Sequence, residues 1–210
     1  MNGEQEYLDE LREKTRQDKD FLRTKGPKEQ KIVETFLKIC GIQYQKNEIK
    51  ISKTEPPDII FKEAKFEVTE VGLLDTNRKR DDEYKQMLEQ LKNANKIKDL
   101  IEPYKSLPAI DKSQLKERIM QGAVNKQYDI QTKQSLDLLV YINSKLFLGY
   151  DPSSDNTTLF DEEFNNWRSV SFVMGWHAGI IYCNNTAPKF LRDLNQKGII
   201  LAQNPLEIWT

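Results

Sequence analysis

Leu136 to Asn143, LDLLVYIN, constrains the fold of this chain more than any other stretch. It is a continuous apolar run of the kind that forms a strand buried on both faces. Such a strand belongs inside a sheet, so the chain is expected to be an α/β (α+β) protein with a mixed β-sheet core flanked by helices. At 210 residues it is long enough for one core that buries roughly 70% of its unfolded surface, and no second domain is required.

The partner expected beside that strand is Pro56 to Val71, PPDIIFKEAKFEVTEV. Ile59-Ile60-Phe61 and Phe66 to Val71 are β-rich runs around the polar Lys62-Glu63-Ala64-Lys65, which reads as an antiparallel hairpin. Pro56 and Pro57 place Asp58 at the mouth of its first strand, where a side chain can leave the sheet. Alternation puts Phe66 and Val68 on one face and Lys65, Glu67 and Thr69 on the other. A carboxylate among apolar neighbours is costly to bury without a cation or a donor. Asp58 and Glu67 are therefore candidate ligands of one divalent ion, and hard oxygen ligands suit Mg²⁺ or Mn²⁺. The plainer readings are turn chemistry for Asp58 and an exposed cross-strand ion pair for Glu67.

Pro57-Asp58, a turn of roughly ten residues and then Glu67 resembles the active-site hairpin of the PD-(D/E)XK nuclease superfamily. Thr69 departs from the pattern, which has a lysine there. Around LDLLVYIN, WRSVSF and APKFL the chain is also similar to a bacterial family described as candidate endonucleases of uncharacterised function. The resemblance implies a restriction-endonuclease-like sheet with extra C-terminal strands, and metal-dependent endonuclease activity on DNA, with RNA second. It implies that Asp58, Glu67 and the Val68 carbonyl hold Mg²⁺ or Mn²⁺, with Glu29 contributing directly or through water. Thr69 cannot supply the cation, so Lys65, Lys85 or an inward-turned Glu70 would have to compensate, or the site is weakened. The alternative function is an inactive nuclease-fold module that binds nucleic acid or a protein partner, with Trp167 and Trp176 as its contacts or as plain core.

The remaining chain fills in around this hairpin. Residues 4 to about 22 read as an exposed helix with a narrow apolar stripe, so 1–25 is expected to be an N-terminal helical extension and 26–210 a single nuclease-like domain. Lys28 to Cys40 has helical spacing after Gly26-Pro27 and ends at Gly41. On that helix Glu29 falls within the apolar stripe, where it faces whatever the helix covers or simply favours the helix dipole. Ile42 to Ile51 suits a first strand or an edge hairpin. A second helix is expected from about Asp81 to Ile101. Arg78, Lys79, Arg80 and Lys85 are candidate phosphate contacts near the metal site, although Asp81, Asp82 and Glu83 favour a solvated helix start. Residues 103–134, with a helix started by Ser113, read as an insertion. Ser169 to Met174 and Ile180 to Cys183 read as further strands around a loop, Ala187 to Gln196 as a helix, and the tail as a last strand.

Composition excludes several classes. There are 33 acidic and 32 basic residues for a formal net charge of -1, so net charge cannot hold nucleic acid and local patches must. Cys40 and Cys183 lack metal-type spacing and read as reduced, packed thiols. The single His177 rules out a multi-histidine metal site; it reads as a structural loop histidine or as a general base. No apolar run approaches ~18 residues and the N-terminus has no apolar signal core, so a cytoplasmic protein without a membrane partner is expected. Homodimerisation suits a nuclease that cuts two strands. No Gly-rich phosphate loop, nucleophile elbow or paired Cys/His motif is present.

Overall fold

The computed structural model describes residues 25–72, 89–96, 98–99, 110–143 and 162–201, with residues 5, 8, 9 and 12. Arg78, Lys79, Arg80 and Lys85, the 145–150 hairpin partner and the 151–158 loop lie outside the described residues.

Helix α1 spans Lys25–Ile39. It begins three residues before the expected Lys28, because proline is tolerated in a first turn where its missing N–H has no intrahelical partner. Gly26 sits close to Ile51: a Cβ on it would lie 3.1 Å from two carbon atoms of that side chain, which would have to shift slightly. Ile32, Val33, Phe36 and Leu37 are buried, and Gly41 at φ 68 takes the left-handed position that ends the run.

The strands are β1 (Ile49–Ile51), β2 (Ile59–Phe61), β3 (Ala64–Gly72), β4 (Asp137–Asn143), β5 (Ser169–Met174), β6 (His177–Cys183) and β7 (Ile199–Leu201). They form one seven-stranded mixed sheet in sequence order. The core strands β3, β4 and β5 run parallel, and the outer pairs are antiparallel. DLLVYIN of the apolar run is β4, held on one side by β3 and on the other by β5, with Leu138, Leu139, Val140 and Ile142 fully buried. The parallel step from β3 to β4 requires a crossover. That crossover contains α2 (Lys112–Val124) and the short α3 (Ile130–Gln134). Residues 103–134, read in the sequence as an insertion, thus supply the helix that lies on β3 and β4, with Leu115 and Ile119 fully buried. Its cap is Asp111 rather than Ser113: the Asp111 carboxylate accepts the Gln114 N–H at 2.9 Å.

The sheet separates two cores. On one face α1 and α4 (Lys189–Asn195) pack Phe36, Leu37, Leu191 and Leu194 against Ile59, Phe66 and Val68. On the other, α2 packs Leu115 and Ile119 toward Val140, Phe172 and Trp167, so Trp167 is core. Burying both sheet faces in this way is what makes β4 apolar throughout.

Two sequence expectations are corrected here. The first strand is only Ile49–Ile51, because residues 42–45 are irregular and Lys46–Glu48 make a 3-10 turn. His177 is not in a loop: Gly175 at φ 52 turns the chain tightly, and His177 opens β6 opposite Met174. His177 is buried, which holds its pKa below the ordinary value.

Candidate active site

Turn geometry brings the two acids together. Lys62, at φ 51, and Glu63 connect β2 to β3, with Phe61 opposite Ala64 and Ile59 opposite Phe66. Asp58 is one step beyond that last pair and so stands across from Glu67. Its N–H donates to the Phe66 carbonyl at 3.0 Å, and its own carbonyl accepts the Ser52 N–H at 2.8 Å. The expectation that Asp58 leaves the sheet is corrected by these bonds: the residue is 4% exposed, and its Oδ2 accepts the Val68 N–H at 2.9 Å. Glu67 is 1% exposed.

Two buried carboxylates side by side need cations, and the chain provides them from two directions. Lys126 follows α2; its Nζ bonds Glu67 Oε1 and lies 3.8 Å from Asp58 Oδ2. From α1, Lys25 Nζ is 3.3 Å from Asp58 Oδ1 and 2.6 Å from Glu55. Tyr128 Oη donates to Glu67 Oε1 at 2.9 Å. Burial raises the Glu67 carboxyl above its ordinary value, and Lys126 opposes the rise. Burial pushes the Tyr128 hydroxyl up to about 12, with the Glu67 carboxylate adding to it.

Glu29 is brought to the same end of the site by the first turns of α1. Its carboxyl is pushed up to about 7, first by burial and then by the charge of Asp58, against the pull of Lys25 and Lys126. Among the described residues no three His, Cys, Asp or Glu side chains converge as a ready metal-ligand set. The Glu29 carboxyl feels the charge of both acids and of both lysines at the site.

Thr69 has a packing position. It is 8% exposed, and a Cβ added to Gly122 of α2 would lie 3.0 Å from Thr69 Cγ2 and 2.9 Å from Val140 Cγ1. The helix presses on β3 so closely that it carries glycine at the contact, and a long side chain at position 69 has no room. Of the compensating residues expected for it, Lys65 is exposed and its N–H donates to Asp137. Glu70 is ion-paired with Lys28 of α1 and accepts from Asn143 at 2.9 Å, on the sheet face opposite Glu67. The ammonium placed between the two acids is that of Lys126, with Lys25 against Asp58 alone.

A third buried carboxylate, Asp137, is a structural fastener at the start of β4. It is fully buried and accepts from Arg168 Nε at 3.1 Å, Arg168 Nη2, Ser169 Oγ at 2.7 Å and the Lys65 N–H at 2.9 Å. Arg168 also reaches the Glu63 carbonyl at 3.2 Å, which ties the β2–β3 turn to β4 and β5. The acid pair is therefore mounted on strands fixed to one another.

Sequence reasoning missed Lys126, Tyr128 and Lys25. The first two lie 59 and 61 positions from Glu67, and no local motif marks them. The available signal was indirect: a lysine missing at Thr69 had to be replaced from another element, and Lys126-Gln127-Tyr128 follows the helix that covers β3.

The donor set fits a hard divalent cation. Asp58 and Glu67 offer carboxylate oxygens from adjacent strands, and Glu67 Oε2 is buried with no hydrogen-bond partner. An oxygen stripped of water and left without a donor is compensated by a cation.

A solved structure from Pseudomonas aeruginosa strain PAO1, described as a protein of unknown function, PA4535, of the monooxygenase superfamily, has the same fold. The likeness covers 100% of both chains with a TM-score of 0.60 and 24% sequence identity. Among curated proteins, none matches the chain. Among the described residues no helix is long and apolar enough to cross a membrane. The family whose model matches residues 3–205 spans the hairpin, the crossover and β4 to β7 alike, and the chain belongs to it: "Putative endonuclease, protein of unknown function (DUF1780)".

Proposed function

We propose that the chain is a metal-dependent endonuclease of the PD-(D/E)XK kind, in which Lys126 replaces the lysine missing at Thr69. The observation that carries this reading is the Lys126 ammonium lying between the buried carboxylates of Asp58 and Glu67. Asp58 and Glu67, with the Val68 carbonyl, would hold Mg²⁺ or Mn²⁺. Bound there, the ion supplies a water of lowered pKa and a charge that stabilises the one developing on the phosphate. Lys126 orients that water and counters phosphate charge, in the role of a preorganised donor. Val68 N–H and Lys25 fix the Asp58 carboxylate, and Glu29, poised near neutrality, exchanges a proton with solvent at the rim of the site. The family description supports this reading at the level of endonuclease. DNA is the proposed substrate, with RNA second, and a homodimer would serve to cut two strands.

The test is cleavage of plasmid, single-stranded DNA and RNA in Mg²⁺ and in Mn²⁺, beside the Asp58→Ala/Glu67→Ala protein. Metal-dependent cleavage that the double variant loses is expected. Absence of cleavage on every substrate, with no Mn²⁺ binding by calorimetry, would leave a binding module on a nuclease-like fold.

A further inference from the structure

The linker between α2 and α3 is fixed at both ends. Asn125, which closes α2, donates its N–H to the Gln121 carbonyl at 3.2 Å. Asp129, which opens α3, accepts the Thr132 N–H at 2.9 Å and the Thr132 hydroxyl at 2.8 Å. Between these anchors Gln127 is exposed, while Lys126 and Tyr128 turn inward and meet the same atom, Glu67 Oε1. The two oxygens of one carboxylate are thus made different: Oε1 has both donors and buried Oε2 has no hydrogen-bond partner. Lys126 alone would leave the carboxylate free to exchange its oxygens about a single ammonium, because an ammonium is a compact charge with little angular demand. A hydroxyl held by a packed ring adds a fixed direction.

We infer that Tyr128 is a positioning residue that holds Glu67 by Oε1 and so presents Oε2 to the divalent ion. This rests on the proposed metal-dependent function. Partners of a metal ligand that act from behind it set its orientation, and losing one typically weakens metal binding by about 10–100-fold.

The experiment is calorimetric titration of the metal-free full chain with Mn²⁺ alone, comparing the unaltered protein with Tyr128→Phe. Phenylalanine keeps the ring that packs against the α2-side core, so the fold does not depend on the hydroxyl, and thermal melting of the metal-free variant checks this. The expected result is a Kd for Mn²⁺ raised about tenfold or more, with the loss in kcat recovered at high Mn²⁺ and KM for DNA unchanged. A variant that binds Mn²⁺ as tightly as the unaltered protein overturns the inference, whatever its activity. So does a kcat deficit that persists at saturating Mn²⁺. If the unaltered chain itself binds no Mn²⁺, the proposed function fails and this inference falls with it, an outcome distinct from equal binding by both proteins.

Discussion

Replacing Lys126 by methionine keeps an apolar stem of similar length and removes the ammonium between two buried acids. Asp58 and Glu67 are 4% and 1% exposed, and the hydrogen bonds from Val68 and Tyr128 do not neutralise them. Removing one partner of a buried ion pair costs about 3–5 kcal/mol, because the remaining charge is uncompensated. The Lys126 side chain keeps 20% of its surface in water, and Lys25 still faces Asp58. Both features move the expected loss to the low end, about 2–3 kcal/mol. At about 2–4 °C per kcal/mol for a chain of this size, the melting temperature should fall by about 4–12 °C. The sign with pH follows from the raised Glu67 carboxyl, which loses its main opposing charge in the variant. A carboxyl whose folded pKa lies above its unfolded value of about 4.3 lets the folded state bind the extra proton between the two. Stability is then intact below the unfolded value and is lost as pH rises through the folded one. Thermal melts should therefore show the variant close to the unaltered protein near pH 4–5 and furthest behind near pH 8, with Mn²⁺ recovering more for the variant. Equal melting at about pH 8, or a deficit that widens toward acid, would refute the reasoning.

Other expectations follow from neighbouring contacts. Thr69→Lys, which installs the lysine that the PD-(D/E)XK pattern has at this place, should lower the melting temperature and leave cleavage no faster, since overpacking beneath Gly122 costs about 1–3 kcal/mol before any unpaired charge is counted; a more active variant contradicts the role given to Lys126. Glu29 carries a carboxyl raised from 4.5 to about 7, so it costs the folded state stability as pH rises across that interval. Glu29→Gln should accordingly gain on the unaltered protein in melts taken from acid to alkaline pH, and a difference constant with pH counts against that. Asp137→Asn leaves the half-buried Arg168 without its charge partner and should cost about 3 kcal/mol, the low end for a broken buried pair, in denaturant unfolding. The folded variant should keep its Mn²⁺ affinity, because Asp137 is a fastener and not a ligand.

How much of this was legible in the sequence depends on the distance over which each signal acts. The β2–β3 hairpin and β4 were readable because alternation and apolar runs are local, and the faces assigned to Phe66, Val68, Glu67 and Thr69 match the two cores. The start of β6 was not readable, because His177-Ala178-Gly179 has no β-branched residue and is held in register by Met174 to Phe172 across a tight turn. The start of α1 was misplaced because Gly26-Pro27 reads equally well as a break and as a first turn, and with it went Lys25. The site was half legible. Asp58 and Glu67 come from one hairpin, where the Asp58 carboxylate accepts the N–H of Val68, the residue after Glu67, whereas Lys126 and Tyr128 arrive by a crossover whose path depends on α2 fitting over Gly122. Thr69 alone looked like a defect; beneath a helix it is the residue small enough to let that helix, and the lysine after it, approach.

The most direct test of the central claim is single-turnover cleavage of plasmid DNA by Lys126→Met at saturating Mn²⁺, with Mn²⁺ binding to the same preparation followed by calorimetry. If Lys126 is the cation of a working phosphodiester site, the variant keeps bound Mn²⁺ and loses on the order of 10²-fold in rate, the scale for removing one preorganised donor. A variant that cleaves at the unaltered rate would contradict the account.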